Sequence, residues 1–174
     1  AMPAGRGRAL KATGEMRAFV GLGANLGDAR AAVESAAHAL GTDVPDTALV
    51  ALSPLYRSAP IDAHGPDYIN AVAELRTTLA PHALLLALQH IEQIHGRERP
   101  YVNAPRTLDL DLLLYGTLVL HDAELTLPHP RMHQRAFVLA PLVQLDSSLV
   151  VPGHGRADAL LALLPDQQLA QIAW

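Results

Sequence analysis

The sequence predicts one α+β domain with a ferredoxin-like βαββαβ core, an antiparallel sheet with helices packed on it. Three observations carry that expectation. The 174 residues suit one domain, and half are hydrophobic against 17% charged, a globular profile and not a disordered one. Short apolar runs with strand character alternate with alanine- and leucine-rich stretches of helical period. These segments run strand, helix, strand, strand, helix, strand, then helices. With aromatics at 4%, the core is expected to be mostly Ala, Leu and Val.

Residues 1–16 include Arg6, Arg8 and Lys11 with Pro3 and several glycines but no apolar h-region, so they are expected to form a flexible leader before a single domain at 17–174. The run AFVGLG at 18–23 reads as the first strand, and 25–28 can turn and cap a helix. Residues 29–40 are alanine-rich and helical, with Gly41 as the stop. A strand is expected over 49–57, interrupted or kinked at Pro54. The segment SAPIDAHGPD at 58–67 is a loop. Over 68–77, Ile69, Ala71, Ala73 and Leu75 alternate onto one side of a strand. The clearest helix is 81–95: Pro81 suits its first turn, Leu84, Leu85, Leu88 and Ile91 follow its period, and Gly96 ends it. The loop 97–107 carries three arginines and two prolines, and LDLDLLLY at 108–115 is a strand. Beyond it come a turn at Gly116, a short strand near Val119, a helical stretch over 131–145 broken at Pro141, and a last helix over 157–164.

Composition excludes several classes. A net charge of −4 argues against a generic nucleic-acid binder. The absence of cysteine removes disulfides and thiolate metal sites. No apolar run approaches the roughly 20 residues of a membrane helix. The expectation is a cytoplasmic monomer that works on small molecules, with no nucleic-acid or membrane partner.

Several groups of residues could carry chemistry. Asp109 and Asp111 alternate with Leu108, Leu110 and Leu112, so the carboxylates share one strand face, about 7 Å apart along the chain. Side by side they repel unless a cation sits between them. Magnesium takes oxygen ligands of this kind together with phosphates, and two such ions would clamp a polyphosphate for in-line attack. A solvated edge strand would show the same pattern, but Arg97, Arg99 and Arg106 stand in the adjoining loop, and guanidinium forks match phosphate oxygens. Gly21, Gly23 and Gly27 follow the first strand with the wrong spacing for a dinucleotide fingerprint, which favours a plain tight turn over a phosphate cradle. His129 and His133, four apart, would share a helix face and could bind a transition metal, although no third ligand is obvious. Asn70 offers a donor and an acceptor suited to a heterocycle edge.

At PRTLDLDLLLYG, 105–116, the sequence resembles the 6-hydroxymethyl-7,8-dihydropterin pyrophosphokinase family of folate biosynthesis. The resemblance extends to GLGANLGD, YRSAPIDAHGPDYIN, IEQIHGRER and LPHPRMHQRAFVLAPL, in matching order from about Phe19 to Trp174. It implies a ferredoxin-like α+β sandwich that moves the β,γ-pyrophosphate of ATP to the hydroxymethyl group of the dihydropterin and releases AMP. It also implies two Mg2+ ions between Asp109, Asp111 and the triphosphate, with Arg97 and Arg106 assisting transfer and Arg99 near the nucleotide. By the same resemblance, Gln89, Glu92, Leu112, Thr126, His129 and Arg135 hold ATP, and Ser58, Pro60, Ile61, Tyr68, Asn70 and Phe137 form the pterin pocket. Some members carry a tryptophan shortly before the arginine matching Arg106, where this chain has Asn103.

The residues are therefore expected to build a magnesium-dependent pyrophosphokinase. A non-catalytic nucleotide-binding interaction module of the same fold is the first alternative, and the intact set of Arg97, Arg106, Asp109 and Asp111 weighs against it. A dinucleotide-binding oxidoreductase built on the glycine turn is the second, opposed by the glycine spacing and the chain length.

Overall fold

A computed structural model describes residues 11–25, 28–59, 66–96 and 108–174. Strand β1 (Lys11–Ala24) is followed by helix α1 (Ala29–Thr42), strands β2 (Thr47–Leu52), β3 (Leu55–Ser58) and β4 (Tyr68–Leu79), helix α2 (Pro81–Gly96) and strand β5 (Asp109–Tyr115). The sheet is antiparallel, with β10 (Leu169–Ile172), β3, β4, β1 and β5 in order and β2 also paired with β4. Apart from β10, this is the expected βαββαβ topology, with the first and third strands of the motif in the middle.

Each helix boundary has a local cause. The Asp28 carboxylate accepts from the Ala31 N–H at 3.0 Å and caps α1. That helix runs through Gly41, where a stop was expected, and ends at Asp43, whose N–H reaches the Ala39 carbonyl. Helix α2 buries Leu84, Leu88 and Ile91 against the sheet, as the helical period required. Full burial of each such leucine contributes roughly 1.5–3 kcal/mol.

The strand expected over 49–57 is split at Ser53 and Pro54 into β2 and β3. Proline has no N–H for a ladder. Ser53 repairs the gap: its N–H donates to the Val72 carbonyl at 2.9 Å, and its hydroxyl accepts from the Val72 N–H at 2.9 Å. Strand β1 begins at Lys11, inside the expected leader, and its pairing with β4 shifts register between Lys11 and Met16. Gly14, at φ +95°, lies within that irregularity.

The sheet buries both faces. One cluster, under α1 and α2, includes Val20, Leu22, Ala71, Ala73, Leu75, Leu108, Leu110 and Leu112. The other, under helix α3 (Ala136–Leu145), joins Phe19, Val72, Leu113, Leu114, Met132, Val138 and Leu142. Leu113 and Leu114 both reach this second face because the β1–β5 register slips between Phe19 and Val20, a β-bulge.

The stretch expected as one helix over 131–145 is a 3-10 turn (Met132–Gln134) followed by α3. The break falls at Arg135, which is extended at φ −123° and ψ 108°, and Pro141 lies within α3. Two short hairpins, β6 (Leu120–His121) with β7 (Thr126–Leu127) and β8 (Val150–Val151) with β9 (Gly155–Arg156), and helix α4 (Ala157–Ala162) precede β10. Neither the β8–β9 hairpin nor β10 was expected from the sequence. Among the described residues, no helix is long and apolar enough to cross a membrane.

Candidate active site

The face of the sheet under α3 changes character along its strands. Alternation puts Phe19, Gly21 and Gly23 of β1 on this face, with Asn70 and Val72 of β4 and Asp109 and Asp111 of β5. The registers set Gly21 beside Val72 and Asp111, and Gly23 beside Asn70 and Asp109. Where Phe19 ends the core, two residues without side chains begin. They leave a cavity of ≈ 520 Å³ whose lining includes Gly21, Gly23, Asn70, Asp109, Asp111 and Phe137. The glycines therefore lie within β1, and the expectation that they form a tight turn or a phosphate cradle is corrected. Their role is to thin the cavity floor: a Cβ on Gly23 would come within 3.1 Å of Asn70 Oδ1.

Ser58, Tyr68 and Asn70 line the same cavity, together with Phe137. Buried Asn70 donates from Nδ2 to Ser58 Oγ at 2.8 Å, which fixes the orientation of its amide. Arg135 also lines this cavity, and its guanidinium lies 5.5 Å from the centre of the Phe137 ring, within cation–π range.

A second cavity, ≈ 250 Å³, lies across the outer edge of β5 and is lined by Leu112, Thr126 and His129 together with Asp111. The His129 N–H donates to the Leu113 carbonyl at 2.9 Å, tying this segment to the strand. Burial holds the His129 ring below its usual histidine range; Asp111 opposes that shift, and Arg135 and Arg131 reinforce it. Glu92, from α2, accepts the Leu110 N–H at 2.8 Å through Oε2, so it secures the strand between the two aspartates. Gln89 is exposed on α2, three residues before Glu92.

Asp109 is exposed and Asp111 half-buried, both facing the larger cavity. Two hard oxygen donors on one strand face, above a floor of glycines, fit Mg2+. The histidine pair does not form the helical metal face that was a sequence alternative. His129 precedes the 3-10 turn, and His133 stacks on His154 at 3.9 Å between ring centres. Another group that could hold a metal, half-buried His82 with exposed Asp122 and Glu124, went unmarked in the sequence because its members lie on α2 and in the β6–β7 turn.

Arg97, Arg99, Arg106, Pro60 and Ile61, and with them Asn103 and Gly27, lie outside the described residues. Asn25 also lines the larger cavity and was not expected as a site residue, although it stands in the GLGANLGD segment.

A cavity of mixed polar and apolar lining that adjoins a second cleft at Asp111 has room for two substrates side by side. Residues 19–147 match the family of 7,8-dihydro-6-hydroxymethylpterin-pyrophosphokinase (HPPK), and the chain belongs to that family. It is 44% identical to the 2-amino-4-hydroxy-6-hydroxymethyldihydropteridine pyrophosphokinase of Pseudomonas aeruginosa, over 90% of this chain and 96% of that one. It is 38% identical to the enzyme of the same name from Haemophilus influenzae, over 89% and 97% respectively. The fold is similar to that of wild-type Plasmodium falciparum HPPK-DHPS, with a TM-score of 0.67 at 13% identity, covering 86% of this chain and 41% of that one.

Proposed function

We propose that the protein transfers the β,γ-pyrophosphate of ATP to the hydroxymethyl group of 6-hydroxymethyl-7,8-dihydropterin, giving the pterin diphosphate and AMP. The observation that carries this reading is that two cavities of different character meet at Asp111. The larger suits a flat heterocycle. Tyr68 and Phe137 offer apolar contact, and the amide of Asn70, oriented by Ser58, can read a ring edge. Pro60 and Ile61 complete the pterin pocket in this reading. The smaller receives the nucleotide, held by Leu112, Thr126 and His129, and in this reading Gln89, Arg99 and Arg135, the last from the lining of the larger cavity, also bind ATP. Glu92 supports it by holding Leu110.

In the transfer, the pterin hydroxyl oxygen attacks the β-phosphorus. The bond from that phosphorus to the oxygen bridging it to the α-phosphorus breaks, AMP departs with that oxygen, and the hydroxyl proton passes to solvent. Charge collects on the phosphoryl oxygens, so positioning and neutralisation dominate the barrier. Arg97 and Arg106 supply part of that neutralisation. Asp109 and Asp111 would hold two Mg2+ ions, which would supply positive charge against the phosphates. In this reading residues 17–174 form one catalytic domain that works in the cytoplasm, and the purified chain is a monomer, which light scattering tests.

The test is to incubate the protein with ATP, Mg2+ and the pterin alcohol and to identify the nucleotide product. Pterin-dependent AMP is the expected result. ADP would mean transfer of one phosphate, and no turnover with retained ATP binding would favour the interaction module.

A further inference from the structure

The N-terminus of α3 lacks the cap its sequence would normally provide. Arg135 occupies the N-cap position and makes no side-chain capping bond. A helix start leaves N–H groups without intrahelical acceptors. Gln167, from the segment between α4 and β10, fills the gap. Its Oε1 accepts from the Ala136 N–H at 2.9 Å, and its Nε2 donates to the Gln134 carbonyl at 2.9 Å. One amide thus bonds to the residues on both sides of Arg135, engaging a donor and an acceptor of the backbone as a paired strand would.

The clamp lies beside the site. Arg135 lines the larger cavity, and its guanidinium rests over Phe137. Arg135 is extended between a 3-10 turn and a helix; its own N–H donates to the Met132 carbonyl at 3.3 Å and its carbonyl accepts from Val138 and Leu139, which leaves the Ala136 N–H and the Gln134 carbonyl to Gln167. Fixing the backbone on both sides of it fixes the direction in which the Arg135 side chain starts, and the Phe137 ring then receives its guanidinium. The Gln167 backbone is itself anchored, with its N–H donating to the Leu164 carbonyl at 3.3 Å. Two residues on, Leu169 pairs with Ser58, the residue that orients Asn70. One C-terminal segment therefore braces both walls of the cavity, and it lies beyond residues 19–147 that the family match covers.

We propose that Gln167 is a positioning residue for Arg135, setting the guanidinium for the phosphate donor through its two bonds to the flanking backbone. This rests on the pyrophosphokinase reading, in which Arg135 holds ATP. Loss of both bonds in Gln167→Ala should lower kcat/KM for ATP on the order of tenfold, mainly through KM. Gln167→Glu keeps the acceptor for Ala136 but loses the donor to Gln134, so its loss should be intermediate.

The experiment measures AMP formation and melting temperature for the wild type, Gln167→Ala, Gln167→Glu, Arg135→Ala and the Gln167→Ala/Arg135→Ala double variant. If Gln167 acts through Arg135, its substitution should change kcat/KM by no more than about twofold once Arg135 is gone. An undiminished loss in the double variant would overturn the proposal by assigning Gln167 to general stability. So would a Gln167→Ala enzyme within about twofold of the wild type. A wild type that makes no pterin-dependent AMP would instead sink the pyrophosphokinase reading.

Discussion

The two ends of one sheet face handle acidic residues in opposite ways. At one end Arg17 bridges Glu74 at 2.9 Å and Asp146 at 2.9 Å and lies over the Phe19 ring, so the chain supplies its own cation. At the other, past the Phe19, Val72 and Leu113 core, Asp109 and Asp111 face a cavity opened by Gly21 and Gly23. The same strands, β1 and β4, contribute to both ends. The difference lies in what β1 offers beside the acids. An arginine and a phenylalanine close the surface, whereas two glycines leave room for a ligand above Asp109 and Asp111.

The largest effect should come from the open end. Asp109→Ala or Asp111→Ala should reduce AMP formation by about a thousandfold, with the melting temperature little changed. Full activity in either variant would break the contrast. At the closed end the cost should fall on folding. Arg17→Met leaves the buried Glu74 carboxylate without its guanidinium and should destabilise the protein by about 1–3 kcal/mol in urea titrations, while kcat stays near the wild-type value. A loss of kcat with stability intact would erase the distinction between the two ends.

The glycine floor gives a smaller test. Gly23→Ala pushes a methyl toward Asn70 Oδ1 and should raise KM for the pterin roughly tenfold by disturbing an oriented hydrogen bond. Gly21→Ala meets only Leu113, at 3.5 Å, an ordinary contact, and should change KM little. Equal effects at the two positions would mean that the cavity, and not Asn70, is what the glycines protect.

The smallest effect is a pH dependence away from both ends. Burial, and secondarily the stacked His154, hold His133 below its usual range. The unfolded chain then binds the proton more readily between that lowered value and about 6.5, so stability falls as pH drops through this window. His133→Phe should flatten that slope in denaturation series at successive pH values. Asp146 acts in a separate, more acidic window. Its hydrogen bond from Ser148, followed by that from Arg17, lowers its pKa, so its contribution is present above about 3.9 and is lost as pH falls through the folded value. Arg17→Met should weaken that lower window and leave the His133 window untouched.

Local pattern made the fold legible. The alternation at Asp109 to Leu112 and the leucine period of α2 each reflect burial that adjacent residues alone encode. The break in 49–57 was visible because Pro54 cannot donate. The break in 131–145 was assigned to Pro141 because proline is the strongest local signal, but an extended Arg135 interrupts the helix, stabilised by a glutamine more than thirty residues away. β10 was missed because an edge strand so short draws its stability from pairing with β3, which no local pattern records. The glycines were read as a turn because nothing in GLGANLG announces the neighbouring strands whose side chains they clear.

Neighbours along the chain were enough to carry the family resemblance that implies the reaction class and to put the two carboxylates on one strand face, since motif residues and strand alternation are local properties of the sequence. It took the folded chain to bring the carboxylates to the meeting of two cavities, to make Gly21 and Gly23 the floor of one of them, and to set Gln167 as a brace for Arg135. Those are facts of register and packing between distant segments, fixed when β1, β4, β5 and the C-terminal segment come together.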